Sequence, residues 1–208
     1  TFQGCGDGTI IDHVQVHQCS DDGIEFFGGT ANARHVLVSG CGDDSLDLTY
    51  GYQGKLQNLV FMQLYNEADR GIEADNHPDD SDALPRTAPQ IYNATFLGLA
   101  ALSRDAAQPS DAIYLSHGAG IDIHNSIFWG FGGRPIAIES EESKELFHNG
   151  NAAIQNCIFS YNHLLSEEIQ QQADLVQVIY DPDSSNRFGK DTRSFTSITW
   201  IKPNPTPL

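Results

Sequence analysis

Six short segments of this chain align on one another, and that repeat constrains the fold more than any other feature. They are Asp12-His13-Val14-Gln15-Val16, Arg34-His35-Val36-Leu37-Val38, Gln57-Asn58-Leu59-Val60-Phe61, Tyr92-Asn93-Ala94-Thr95-Phe96, His124-Asn125-Ser126-Ile127-Phe128 and Gln155-Asn156-Cys157-Ile158-Phe159. Each sets His or Asn ahead of a run whose first and third residues are apolar or small. Successive His/Asn positions lie about 22 to 35 residues apart. A recurring strand on a period of roughly 20–50 residues marks a solenoid, whose units bury their apolar faces only by stacking.

A second series interleaves with the first: Asp22-Gly23-Ile24-Glu25-Phe26, Asp44-Ser45-Leu46-Asp47-Leu48, Arg70-Gly71-Ile72-Glu73-Ala74, Asp111-Ala112-Ile113-Tyr114-Leu115 and Arg134-Pro135-Ile136-Ala137-Ile138. Apolar third and fifth positions around a mostly polar fourth give the period-2 pattern of a strand with one buried face. Two strand types alternating along the chain predict an all-β fold, a right-handed parallel β-helix of about six to seven coils stacked ~4.8 Å apart. The whole chain, 1–208, suits one domain. Extra length falls in 77–90, 100–110 and 139–152, read as loops. A short helix is expected at about 164–173 and a last strand over Phe195-Thr196-Ser197-Ile198-Thr199-Trp200.

Stacking converts repeat positions into columns. His13, His35, Asn58, Asn93, Asn125 and Asn156 form one structural ladder, in which side-chain amides bond their neighbours. A stacked His pair also has a metal-binding reading, but imidazoles standing in for Asn is the favoured one. Cys19, Cys41, Leu64, Leu99 and Phe131 form an inward column. Neighbouring coils bring Cys19 and Cys41 toward disulfide range, with free core thiols as the alternative. The outward row Gln15, Leu37, Val60, Thr95, Ile127, Ile158 is apolar enough to require a cover, from the 164–173 helix, the C-terminal segment or a protein partner.

The sharpest constellation is acidic. Glu25, Asp47 and Glu73 should stack outward in one column, with Asp21, Asp22, Asp43, Asp44 and Asp69 at the turns before them. Three uses fit. Glu25, Asp47 and Glu73 could supply a glycosidase pair, in which a like-charged neighbour raises the pKa of the acid. Asp22, Glu25, Asp44, Asp47 and Glu73 could hold Ca²⁺ through oxygen ligands. A solvated acidic ladder could simply set register and block edge association. A uronate lyase would want a basic cluster beside the acids, and only Arg70 and Arg134 stand near. Ser116-His117-Gly118-Ala119-Gly120 has the look of a Gly-flanked catalytic His, but its glycines fit an ordinary turn. Asp181-Pro182-Asp183-Ser184-Ser185-Asn186 has calcium-loop-like Asp spacing, yet lacks the central Gly and terminal Glu of an EF-hand.

The formal charge of −17, from 28 acidic and 11 basic residues, argues against nucleic acid or an anionic membrane as partner. It suits an extracellular setting in which Ca²⁺ is available. No 18-residue apolar run provides a transmembrane segment. The chain starts almost directly in a coil, so a processed chain, a fragment, or self-association through an uncapped N-terminal coil is expected.

Ile11-Asp12-His13-Val14-Gln15-Val16, Asp21-Asp22-Gly23-Ile24-Glu25-Phe26-Phe27-Gly28-Gly29-Thr30, Asp43-Asp44-Ser45-Leu46-Asp47, Gly51-Tyr52-Gln53-Gly54-Lys55, Gly71-Ile72-Glu73-Ala74-Asp75-Asn76 and Pro85-Arg86-Thr87-Ala88-Pro89 occur in that order. These blocks resemble secreted bacterial β-helix surface proteins often described as lipoproteins, over about residues 8–98. The resemblance implies a β-helix at an extracellular or bacterial cell-surface location and carries no catalytic residues. In that family the blocks follow a further N-terminal β-helical region. The combined expectation is a secreted or cell-surface structural or adhesive module, with glycan or calcium as its candidate ligands, leaning away from an enzyme. A polysaccharide-active hydrolase or lyase, and a subunit of an end-to-end extracellular assembly, are the alternatives.

Overall fold

Alternating burial along each repeat produces two parallel sheets facing each other across a continuous core. The structure, a computed structural model, describes residues 1–64, 68–98, 110–161 and 185–190. One sheet is built from short strands in the order β1 (Phe2–Gln3), β3 (Ile24–Phe27), β5 (Leu46–Thr49), β7 (Ile72–Asp75), β9 (Ile113–Ser116) and β12 (Ala137–Ile138). The other runs β2 (Ile10–His17), β4 (Asn32–Ser39), β6 (Lys55–Met62), β8 (Gln90–Leu97), β11 (Ile127–Phe131), β14 (Ile158–Tyr161) and β15 (Arg187–Lys190). Beside it, β10 (Asp122–His124) pairs with both β8 and β13 (Ala153–Gln155). All pairings are parallel, so each strand joins the equivalent strand of the next repeat. This is an all-β parallel β-helix.

The long strands bend at one residue each. His13, His35, Asn58 and Asn93 have φ of 54°, 54°, 57° and 56°. Asn125 and Asn156 (φ 53° and 55°) separate β10 from β11 and β13 from β14. A left-handed residue turns the chain sharply, and Asn and His are among the few non-glycine residues that adopt it readily. Asn93 Nδ2 donates to Asn58 Oδ1 at 3.4 Å, and Asn58 Nδ2 lies 3.2 Å from His35 Nε2.

Inward positions stack like on like. Phe61, Phe96, Phe128 and Phe159 form a file of near-parallel rings with centroids 4.6, 4.9 and 4.8 Å apart. Beside it Ile24, Leu46, Ile72 and Ile113 lie in register and are buried. At Gly54 a Cβ would collide with the Ala31 carbonyl and the Tyr52 ring, so the close approach of two turns demands glycine there. Cys41 and Phe131 are buried, whereas Cys19 and Leu64 are only half-buried. Cys19 has a stacked turn on one side alone among the described residues, and Leu99 lies outside them.

Segment 139–152 is not a plain loop. Helix α1 (Glu141–His148) occupies it, N-capped by Ser140, whose Oγ accepts the Ser143 amide at 3.2 Å. Glu141 and Glu142 in the first turn and His148 in the last complement the helix dipole. Phe147 is buried and anchors it. The outward row Gln15, Leu37, Val60, Thr95, Ile127, Ile158 lies in register, with Ile127 38% and Ile158 43% exposed. The 164–173 helix and 195–200 strand expected to cover it fall outside the described residues. Among those residues no helix is long and apolar enough to cross a membrane.

Candidate functional site

The outer face of the short-strand sheet gathers the acids. Register pairs Glu25 with Asp47, Asp47 with Glu73, and Glu73 with Tyr114, so the four stand in one column. Alternation puts Asp75 and Ser116 two residues along, on the same face. Asp22, at the turn before β3, reaches the column. One ligand oxygen each from Asp22, Glu25 and Asp47 lies within 4.8 Å of the others.

Two arginines divide this acidic surface. Arg70 Nη1 donates to Glu73 Oε2 at 2.8 Å and lies 3.1 Å from Asp69 and 3.7 Å from Asp44. Its guanidinium sits 4.1 Å over the Tyr114 ring, a cation–π contact. Arg134 pairs with Asp111 and Glu139 at 2.7 and 2.8 Å. Among the described residues, no basic side chain forms an ion pair with Asp22, Glu25 or Asp47. Burial, then the Asp22, Glu73, Glu25 and Asp75 charges, pushes the Asp47 carboxyl up to about 8. Burial pushes Asp22 up to about 7, against the stabilising amide of Asp44 that donates to its Oδ1 at 3.0 Å. Desolvation and crowding disfavour the ionised form, so Asp22 and Asp47 retain protons near neutrality.

Asp44 is placed differently from its neighbours. Its side chain is buried, its Oδ1 accepts the Arg70 backbone amide at 2.6 Å, and burial with the adjoining Glu73 raises its pKa. It works as a backbone pin beneath the face. Asp22, Glu25 and Asp47 thus converge, Glu73 is neutralised by Arg70, and Asp44 lies under the surface.

The structure brings Asp75 against Ser116 and His117, the segment that the sequence assigned to an ordinary turn. Asp75 accepts a very short hydrogen bond from Ser116 Oγ, and His117 Nδ1 lies 2.7 Å from that hydroxyl and 3.4 Å from Asp75. Both partners address the same ring nitrogen, so the group lacks the relay geometry of a nucleophilic triad. Period-2 spacing from Glu73 and Tyr114 was the available signal. Tyr50, 46% exposed, meets His77 edge-on at 5.2 Å and Phe27 at 5.6 Å, giving the face an aromatic border.

The four cysteines are free thiols. Burial raises Cys41 to about 11, with a smaller contribution from nearby Cys19. Cys41 Sγ lies 3.5 Å from the Asp43 carbonyl and 3.7 Å from Ser45 Oγ.

Compared with known proteins, residues 1–202 match the family model described as a pectate-lyase-like beta helix domain. No curated protein and no solved structure matches the chain.

Proposed function

From the premise that this chain belongs to the pectate-lyase-like β-helix domain family, we propose that it is a secreted or cell-surface structural or adhesive module that holds Ca²⁺ on its acidic face and engages glycans there. The observation that carries this reading is the convergence of Asp22, Glu25 and Asp47 oxygens without a basic partner among the described residues. Hard oxygen donors in that number suit Ca²⁺, which would complete its shell with water or sugar hydroxyls. Tyr50, 46% exposed, borders the face and offers an apolar ring with a polar tip against which a sugar could pack. The proposal includes a right-handed coil of about six to seven turns with the His/Asn column along one bend, the hand that parallel crossovers overwhelmingly take.

A second reading has one specific support. Asp47 stays protonated near neutral pH beside Glu25 on the adjacent strand, as the acid and nucleophile of a retaining glycosidase require. A lyase is less supported, because the Arg70 guanidinium is engaged by Glu73 and Asp69. Calcium titration by calorimetry, with binding to a glycan panel in Ca²⁺ and in EGTA, separates the readings. The module predicts Ca²⁺ binding weakened by Asp47→Asn and glycan retention lost in EGTA, with no new reducing ends. Glycan cleavage abolished by the same substitution would replace it with the hydrolase.

A further inference from the structure

We propose that His13, His35 and Asp12 form a surface site for a borderline divalent transition ion such as Zn²⁺, separate from the acidic face. Stacking places the two imidazoles 4.4 Å apart between centroids, tilted by 30°. Both Nδ1 atoms face one carboxylate oxygen: His13 Nδ1 lies 2.7 Å and His35 Nδ1 2.9 Å from Asp12 Oδ1. The three ligand atoms all fall within 4.8 Å of one another. Nitrogen donors with one carboxylate suit Zn²⁺, Co²⁺ or Ni²⁺ far better than Ca²⁺.

The surroundings orient this set. Arg34 directs Nε (2.9 Å) and Nη2 (2.8 Å) to Asp12 Oδ2, which leaves Oδ1 for the imidazoles. The His13 and His35 side chains are 76% and 40% exposed, and open to an ion from solvent. The remaining coordination positions would be water.

Proton accounting is specific. His35 Nε2 lies 3.2 Å from Asn58 Nδ2 and accepts from it, which leaves the ring proton of the neutral form on Nδ1, directed at Asp12. Metal at Nδ1 moves that proton to Nε2, and the Asn58 amide then turns to offer Oδ1 as acceptor, giving up the 3.4 Å bond that this oxygen takes from Asn93 Nδ2. Neutral imidazole is conserved, aqua ligands are released, and no net proton leaves the ring. A ligating His whose second nitrogen donates to a neighbour is the usual metal-site arrangement.

The repeat supplies an isostructural control. Asn58, Asn93, Asn125 and Asn156 fill the same left-handed position in other turns, so His13→Asn with His35→Asn removes both imidazoles while restoring the common residue. The experiment titrates tag-free protein with Zn²⁺ against a chromophoric chelator and follows Co²⁺ by its visible absorption. Circular dichroism checks the fold of each variant. One equivalent should bind wild type, the double variant should lose it together with the Co²⁺ band, and Asp12→Asn should weaken it at least tenfold. Equal Zn²⁺ stoichiometry and affinity in wild type and double variant, or no binding by wild type, would overturn the proposal.

Discussion

Asp47 occupies a position where burial and four neighbouring acids act in the same direction, lifting its carboxyl up to about 8. An Asp in an unfolded chain titrates near ~3.9. Between about pH 4 and pH 8 the folded protein therefore keeps a proton that the unfolded chain has released, and stability falls as pH rises through that window. Asp22, lifted to about 7, contributes in the same sense. Asp47→Asn is expected to stabilise the protein on the order of 1–3 kcal/mol at pH 9, after allowing for solvent screening, and to change little at pH 4. Urea denaturation in EDTA across pH 4–9 checks this, and a difference independent of pH would refute it. Asp12 behaves oppositely: His35 and Arg34 favour its charged form, so any contribution is lost only in acid.

At the scale of elements, carboxylates at the turns before the short strands tie one repeat to the next. Asp22 Oδ1 takes the Asp44 amide, Asp44 Oδ1 the Arg70 amide, and Asp111 Oδ1 the Arg134 amide. In-register stacking lets the same residue type perform the same task in three of the turns, with Arg70 at the equivalent position between Asp44 and Asp111. Asp111 does most, because its Oδ2 also binds Arg134 Nε and Nη2 at 3.1 and 2.7 Å. Asp111→Ala leaves a backbone donor unsatisfied and a guanidinium half-paired, at an expected cost of about 2–3 kcal/mol. Asp111→Asn, which keeps one acceptor, should lose roughly half of that. Chemical denaturation of both variants measures the difference. The Asp-Asp pairs were visible in the sequence, but which residues pin the next turn and which also reach the acidic column was not, because adjacent residues differ only in which way the turn points them.

Across the whole molecule, the core is a set of files running along the solenoid axis. Phe96 sits between Phe61 and Phe128 and is fully buried. Phe96→Ala is expected to cost about 3–5 kcal/mol, from lost burial and the cavity left between two rings. In a solenoid each repeat contacts only its neighbours. Hydrogen exchange should therefore accelerate first in β6, β8 and β11, and uniform acceleration through β2 and β14 would count against this nearest-neighbour behaviour.

By itself the sequence determined the parallel strand series, the inward positions within the strands and the acidic column of Glu25, Asp47 and Glu73, though not the burial of the expected turn column at Cys19 and Leu64. Each follows from local alternation repeated at a regular interval, and stacking preserves it. Helix α1 reads as a loop from its acidic composition, although the Ser140 cap ahead of Glu141 and Glu142 is a signal for it. Only the tertiary structure decided which acids remain without a cation. That depends on where the long Arg70 and Arg134 side chains reach, and side-chain reach between turns leaves no period in a sequence. The meeting of Asp12 with His13 and His35 belongs to the same class. Asp12 and His13 are adjacent in the chain, but His35 joins them only because the next turn lies in register above.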